Sequence, residues 1–184
     1  MRRVLIVGNS GGGKSTLARA LGEALGLPVI HLDVLYWQPA WTPTDEATFR
    51  GKVAAALAAP SWICDGNFGG SWDLRMPRAD TIVWLDMPRL VCLARAIWRA
   101  ATYRDGARPD MAEGCREKFD LDFYRFIWSY DRKVKPRLQA ALATHGARAR
   151  LIRLRSNREV AAFLAQAAPG DGGSVLPNGA SGSE

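Results

Sequence analysis

The sequence lacks the features of a membrane-embedded, secreted or zinc-binding protein. No apolar run among its 184 residues approaches the roughly 18 residues that a helix needs to cross a bilayer. The apolar stretch after Met1-Arg2-Arg3 ends at the first glycine, which makes it too short for a secretory signal. The cysteines, Cys64, Cys92 and Cys115, are odd in number and too far apart for a zinc motif. We therefore expect reduced thiols in a cytoplasmic protein with no membrane partner.

The positive charge of the chain is large but is not gathered in one tract. Its 25 lysines and arginines outnumber its 18 aspartates and glutamates, for a net charge of +7 and a pI near 9.8. Such an excess attracts either nucleic acid or the phosphates of a nucleotide. Acidic residues interrupt the arginines between Arg95 and Arg158. We therefore favour a phosphate site, with nucleic acid as the open alternative.

Residues 8–16 form a glycine-rich loop, Gly-Asn-Ser-Gly-Gly-Gly-Lys-Ser-Thr, that fits the pattern G-x-x-x-x-G-K-[ST]. In such a loop the glycines let successive backbone N–H groups turn toward phosphate oxygens. The apolar run Val4 to Val7 before the loop and the helical spacing from Leu17 to Leu25 after it place the loop between a buried strand and a helix N-terminus. The residues that we predict to bind the phosphates of ATP are Gly8, Ser10, Gly11, Gly12, Gly13, Lys14, Ser15 and Thr16.

Short apolar runs alternate with helical patterns along the rest of the chain. Further predicted strands lie at 27–33, 61–66, 81–85 and 149–154. Alternating strands and helices predict an α/β fold with a five-stranded parallel sheet covered by helices on both faces. Ligands of such sheets bind at the carboxyl ends of the strands, where the glycine loop, Asp33 and Asp65 would meet.

Turn and capping residues delimit the helices. We predict a loop from Val34 to Trp41, a helix that Thr42 caps, and a long helix over 119–134 that Pro136 breaks. Ten of the sixteen residues 169–184 are glycine, serine or proline, which predicts a disordered tail.

A set of short motifs follows the glycine loop. They are His31-Leu32-Asp33, Leu35-Tyr36-Trp37, Pro39-Ala40-Trp41, the run from Trp62 to Asn67, and Ala79-Asp80 before Trp84-Leu85-Asp86. Together with the loop, they resemble the adenylate-kinase-like P-loop kinases, and among these the bacterial DNA topology modulation proteins. The resemblance covers about residues 1 to 165. It implies a three-layer α/β/α P-loop NTPase fold with a helical lid inserted at about 100–118.

The resemblance implies roles for two carboxylates. Asp65-Gly66 is similar to the Asp-Gly that closes the third strand in adenylate kinases, where the aspartate holds the waters of Mg²⁺. Asp33 is similar to the aspartate after the second strand, which contacts the acceptor in related small-molecule kinases. From the residues alone, either aspartate could instead cap the next turn or helix. The glycine-loop pattern assigns Ser15 to Mg²⁺, and the resemblance assigns Asp65 to Mg²⁺ and Asp33 to the acceptor.

Two arginines one helical turn apart, Arg95 and Arg99, resemble the Arg-x-x-x-Arg at the start of the adenylate kinase lid. There the first packs on the adenine ring and the second reaches phosphate, and a planar, forked guanidinium suits both tasks. From the residues alone, the pair could instead form an exposed basic helix face. Arg104 and Arg108 would lie on the lid. The predicted catalytic residues are Lys14, Asp33, Asp65 and Arg99, and Arg95 and Arg99 complete the predicted ATP site.

The chain departs from the adenylate kinase pattern where the acceptor would bind. The family sequence Asp-Gly-Phe-Pro-Arg, which helps to bind a nucleoside monophosphate, is replaced by residues 65–69, and Arg75 and Arg78 come only later. A tryptophan-rich stretch over 36–41 replaces an ordinary monophosphate-binding segment. Its tryptophans belong either to the core or to a stacking surface. The identity of the acceptor is therefore open.

The predicted function is phosphoryl transfer by one kinase domain over 1–168. Mg-ATP would be the donor, and a nucleotide or another small hydroxyl or phosphate compound would be the acceptor. A GTPase switch is disfavoured because no Asn-Lys-x-Asp motif occurs, and a transporter-type or AAA-type ATPase would need a larger domain. The alternative is an ATP-binding regulator associated with DNA topology or nucleic acid, without robust kinase turnover. The oligomeric state is not predicted.

Overall fold

A five-stranded parallel sheet forms the centre of the protein. The computed structural model describes residues 1–102, 114–115 and 119–167. The strands of the sheet are β1 (Arg3–Gly8), β2 (Val29–His31), β3 (Trp62–Asp65), β4 (Thr81–Leu85) and β5 (Arg150–Leu154). Their spatial order is β2-β3-β1-β4-β5, with every neighbouring pair parallel. The glycine loop therefore leaves the central strand.

Both faces of the sheet carry helices because the side chains of β1 alternate between them. Val4 and Ile6 belong to one core, and Leu5 and Val7 belong to the other. The first core is covered by α1 (Lys14–Leu25), α5 (Arg89–Thr102), α6 (Leu121–Lys133) and α8 (Asn157–Ala167). The second is covered by α3 (Glu46–Ala56), α4 (Trp72–Arg75) and α7 (Lys135–His145). The predicted three-layer α/β/α arrangement is confirmed.

The segment after β2 differs from the prediction. A short helix, α2 (Leu32–Tyr36), replaces the start of the predicted loop, so Asp33 lies in a helical turn and not at the end of a strand. Trp37–Gln38 then pairs antiparallel with Thr42–Pro43 across a turn over Pro39–Trp41, in which Ala40 and Trp41 have positive φ. The prediction that Thr42 caps α3 is wrong, because Thr42 belongs to this hairpin. Asp45 caps the helix instead and accepts a hydrogen bond from the Thr48 N–H at 2.9 Å.

The helical pattern after residue 119 is interrupted next to Pro136, as predicted. α6 ends at Lys133, and Pro136 lies in the first turn of α7, where its missing N–H costs no helical hydrogen bond. None of the helices in the described part of the chain is long and apolar enough to span a membrane. Most of the predicted lid at about 100–118, with Arg104 and Arg108, lies outside the described residues, as does the predicted tail at 169–184.

Candidate functional site

The carboxyl ends of β1, β2 and β3 meet at one edge of the sheet. Asp65 at the end of β3 lies beside both Ile6 of β1 and His31 of β2 in the strand register. A cleft of about 1070 Å³ opens at this edge. The predicted site residues that line it are Ser10, Gly11, Gly13, Lys14, Ser15, Thr16, Asp33, Arg95 and Arg99. The structure therefore brings most of the predicted site together.

Two glycines of the loop lie where no side chain fits. A Cβ on Gly8, at φ 145°, would lie 2.3 Å from the carbonyl oxygen of Leu85. A Cβ on Gly11, at φ 76°, would lie 2.2 Å from the carbonyl oxygen of Cys92 in α5. Gly8 and Gly12 are buried and do not line the cleft. The first N–H groups of α1 have no acceptor within the helix, so they can bind an anion. The loop is built to present main chain to the cleft.

Lys14 lies at the first position of α1, and its Nζ donates to the carbonyl oxygen of Asn9 at 3.1 Å. Burial lowers the pKa of Lys14 below its ordinary value, and the charge of Arg99 adds to this effect. The carboxylates of Asp33 and Asp65 act in the opposite direction. The lysine is therefore a partly dehydrated cation between two carboxylates, positioned to exchange its present acceptor for a phosphate oxygen.

Asp65 lies behind the loop and not in the wall of the cleft. It is only 3% exposed. Its Oδ2 accepts a hydrogen bond from Ser15 Oγ at 2.7 Å, and its Oδ1 is hydrogen-bonded to His31 Nδ1 at 2.6 Å. The three side chains form a chain from β2 through β3 to α1. His31 belongs to the His31-Leu32-Asp33 motif but has no role predicted from the sequence, because its partner lies 34 residues away.

Ser15 lines the cleft and offers an oxygen ligand of the kind that Mg²⁺ prefers, whereas both carboxylate oxygens of Asp65 behind it are already hydrogen-bonded. Among the described residues, no group of three His, Cys, Asp or Glu side chains could hold a metal ion without other ligands. Mg²⁺ commonly binds through one or two protein oxygens together with waters and substrate phosphates. Ser15 therefore fits a Mg²⁺ ion that arrives with a nucleotide, with Asp65 as the hydrogen-bond acceptor behind its hydroxyl.

The two arginines of α5 both face the cleft. Arg95 Nη2 donates to Asn157 Oδ1 at 2.7 Å, and its Nη1 lies 3.4 Å from the carbonyl oxygen of Gly12. The guanidinium carbon of Arg99 lies 5.9 Å from the centre of the Phe123 ring. Neither side chain belongs to an exposed basic face, since both are half-buried. Their assignment to a nucleotide stays a prediction.

Two residues with no predicted role organise the loop after β3. The Asn67 side chain pairs with the main chain of Gly8: its Oδ1 accepts from the N–H at 3.1 Å, and its Nδ2 donates to the carbonyl oxygen at 2.6 Å. Arg75 is fully buried and donates to the carbonyl oxygens of Gly66 at 2.9 Å and Phe68 at 3.0 Å. It also donates to the carbonyl oxygen of Asn67 and to Ser71 Oγ. Arg75 thus holds a loop, and no local spacing rule would reveal this.

One part of the cleft lining is aromatic. Four side chains, which we call the aromatic wall, are Trp37, Trp41, Phe68 and Trp72. They come from the hairpin, from the loop after β3 and from α4. The ring centres of Trp37 and Trp41 lie 5.4 Å apart in an edge-to-face arrangement. Trp72 is mostly core at 7% exposure, whereas Trp37 and Trp41 are half-buried at the cleft.

Comparisons with known proteins identify the fold. No family model matches the sequence, and no curated protein matches it. A gluconokinase from Sinorhizobium meliloti 1021 aligns with 17% identity over 91% of this chain and 93% of its own, at a TM-score of 0.51. A shikimate kinase from Bacteroides thetaiotaomicron aligns with 16% identity over 90% of this chain and 95% of its own, at 0.52. The chain therefore has the fold of these P-loop kinases. The finer resemblance to DNA topology modulation proteins stays a prediction.

Proposed function

We propose that the protein is a kinase that transfers the γ-phosphoryl group of Mg-ATP to a small-molecule acceptor. The observation that carries this proposal is the meeting of Lys14, Asp33 and the glycine loop in one cleft, with the Ser15–Asp65 pair directly behind the loop. The fold shared with proteins named gluconokinase and shikimate kinase supports it. The adenylate-kinase-like subtype rests on the sequence motifs.

Phosphoryl transfer needs positioning and charge neutralisation more than covalent chemistry from the protein. The glycine loop and the N-terminus of α1 would bind the phosphates, and Lys14 would donate to the oxygens of the transferred group. When bound, Mg²⁺ would neutralise phosphate charge; Ser15 would ligate it, and Asp65 behind Ser15 would support it through the waters of the metal. Arg95 and Arg99 would contact the nucleotide, and Asp33 would orient the acceptor hydroxyl and accept its proton.

The test is a coupled assay of ADP release over a panel of nucleosides, nucleotides, sugars and small alcohols, with Lys14→Ala as the blank. We expect the turnover of the variant to fall about 10²- to 10³-fold. The variant lacks the cation that would stabilise the charge developing on the transferred phosphoryl group in the transition state. Lys52→Ala is the matched control: this exposed lysine of α3 does not line the cleft, and its removal should leave turnover within twofold. Unchanged ATP affinity and turnover in Lys14→Ala would contradict the proposal.

A second candidate function is supported by the surface of α6. Arg125, Arg132 and Lys133 line a shallow groove together with Phe126 and Trp128. The guanidinium of Arg89 lies 4.1 Å above the Trp128 ring. Basic and aromatic side chains together are typical of sites for single-stranded nucleic acid. Salt-dependent retention of single-stranded DNA, without acceptor-stimulated ADP release, would favour an ATP-binding regulator over a kinase.

A further inference from the structure

A histidine connects the edge strand β2 to the helix that follows the glycine loop. His31 ends β2 and lies opposite Asp65 of β3 in the parallel register. Its Nδ1 lies 2.6 Å from Asp65 Oδ1, and the other oxygen of the same carboxylate, Oδ2, lies 2.7 Å from Ser15 Oγ. One buried carboxylate therefore has the histidine on one side and the candidate Mg²⁺ ligand on the other.

The direction of both hydrogen bonds follows from the chemistry of the three groups. A carboxylate can only accept, so Nδ1 of His31 and the hydroxyl of Ser15 both donate to Asp65. The hydroxyl proton of Ser15 is then directed at Asp65 behind it, and the lone pairs of its oxygen are left for a ligand. Because Ser15 lines the cleft, this orientation prepares its oxygen to bind a cation beside a phosphate.

The carboxylate of Asp65 needs a second partner to keep its own orientation. The torsion that turns the carboxylate of an aspartate is broad and roughly two-fold, so the bond to Ser15 alone leaves the carboxylate plane free to turn. His31 fixes this plane by binding the opposite oxygen. Water has little access to replace it, because the side chains of His31 and Asp65 are only 13% and 4% exposed.

The attachment of β2 to the sheet does not depend on this side-chain bond. The three residues of β2 pair with β3 in register from Val29 to His31. Val29 packs against the core on one face of the sheet, and Ile30 packs against the core on the other. Strand pairing and apolar contacts therefore hold β2, and the histidine side chain is left to act on Asp65.

We infer that His31 is a positioning residue, which acts through Asp65 to hold the Ser15 hydroxyl in the orientation that binds Mg²⁺ together with a nucleotide. This inference rests on the proposed function, since that function supplies the metal-bound nucleotide. His31 does not line the cleft. Its removal should therefore reduce what Mg²⁺ adds to nucleotide binding, and not what the glycine loop adds.

The experiment measures the affinity for a non-hydrolysable ATP analogue by calorimetry, once in saturating Mg²⁺ and once in EDTA. The ratio of the two affinities is the gain that Mg²⁺ supplies, and measuring it needs neither an acceptor nor turnover. His31→Leu and His31→Phe both remove the donor to Asp65, and either one is sufficient if it folds. His31→Asn keeps a donor, because asparagine Nδ2 and histidine Nδ1 are both bonded to Cγ.

Val29→Ala is the matched control for a loosened strand. Val29 lies in the same strand, packs against the core and does not line the cleft. Thermal unfolding of every variant shows how far each substitution destabilises the protein. The control should lower the melting temperature and leave the gain from Mg²⁺ within twofold.

We expect His31→Leu to reduce the gain from Mg²⁺ about tenfold, the lower end of what loss of a group that orients a metal ligand commonly costs. The affinity in EDTA should stay within twofold, and His31→Asn should restore most of the gain. In the background of Asp65→Ala, His31→Leu should reduce the gain no further, because both substitutions interrupt the same chain of hydrogen bonds.

The outcomes separate this inference from the function on which it rests. Equal losses of the Mg²⁺ gain in His31→Leu and Val29→Ala would make His31 a structural residue and overturn the inference. An unchanged gain in His31→Leu, or a wild-type affinity that does not respond to Mg²⁺, would also overturn it, even where ADP release that depends on Lys14 upholds the kinase proposal. A gain that depends on His31, without ADP release from any acceptor, would support the positioning role and contradict the kinase proposal.

Discussion

The glycine loop and the aromatic wall share one cleft but are built in opposite ways. The loop comprises consecutive residues, 8–16, and two of its glycines, Gly8 and Gly11, approach neighbouring main chain too closely for any side chain. The wall is assembled from residues between Trp37 and Trp72, and its positive-φ positions carry side chains, among them Trp41 and Phe68. The glycine loop presents main chain to the cleft, and the aromatic wall presents rings.

The two surfaces differ in how selectively surfaces of their kind bind a ligand. Backbone N–H groups and a helix N-terminus can bind any phosphate group, so a local sequence is sufficient to build the site. A surface of side chains selects by shape and charge, and it needs several elements in fixed positions. In this protein the two surfaces are joined by the hydrogen bonds between Asn67 and Gly8.

The largest expected effect concerns the support of the aromatic wall. Arg75→Met should lower the free energy of unfolding by about 3 kcal/mol or more, because buried carbonyls lose a charged donor. The KM for the acceptor should rise more than the KM for ATP. Urea denaturation and steady-state kinetics measure both. Arg78→Met, an exposed arginine three residues on, should change stability by less than about 0.5 kcal/mol. Equal effects of the two substitutions would refute the supporting role of Arg75.

A second substitution acts on the glycine loop. In Gly11→Ala, the alanine must take a positive φ, and its Cβ would lie 2.2 Å from the carbonyl oxygen of Cys92. The substitution should therefore destabilise the protein by about 2 kcal/mol or more. ATP binding, followed by calorimetry, should weaken at least tenfold. Gly51→Ala is the matched control within α3, where no heavy atom lies within 4 Å of a new Cβ. This control should stabilise the protein by about 0.5–1 kcal/mol. A wild-type affinity for ATP in Gly11→Ala would contradict the close packing of the loop.

The smallest of these effects concerns the connection between the two surfaces. Asn67→Ala removes two hydrogen bonds to Gly8 and should cost about 1–2 kcal/mol of stability. Because Asn67 contacts the glycine loop and precedes Phe68, the KM values for ATP and acceptor should both rise severalfold. Asn67→Asp keeps an acceptor for the Gly8 N–H but loses the donor to the Gly8 carbonyl oxygen. It therefore distinguishes the contributions of the two hydrogen bonds. A rise in only one KM value would show that the two surfaces act independently.

The sequence predicted the sheet and the glycine loop because their signals are local. Val4 to Val7 is a buried strand next to a glycine motif, and the helical spacing that follows is confirmed in α1. The prediction at Thr42 was wrong because pairing with Gln38 overrode its capping tendency. The bonds from Asp65 to His31 and Ser15 span 34 and 50 residues, and no spacing rule relates such partners.

The order of residues along the chain therefore specifies how phosphate would be bound: a short motif sets the backbone path of the loop, and alternating strands and helices set the sheet that carries it. The aromatic wall arises from packing. Trp37, Trp41, Phe68 and Trp72 become one surface only when the hairpin, the loop after β3 and α4 pack against the same face of the sheet. Arg75 becomes a structural residue only when the loop closes around it. Contacts between distant elements depend on the geometry of the whole core, which no local pattern encodes.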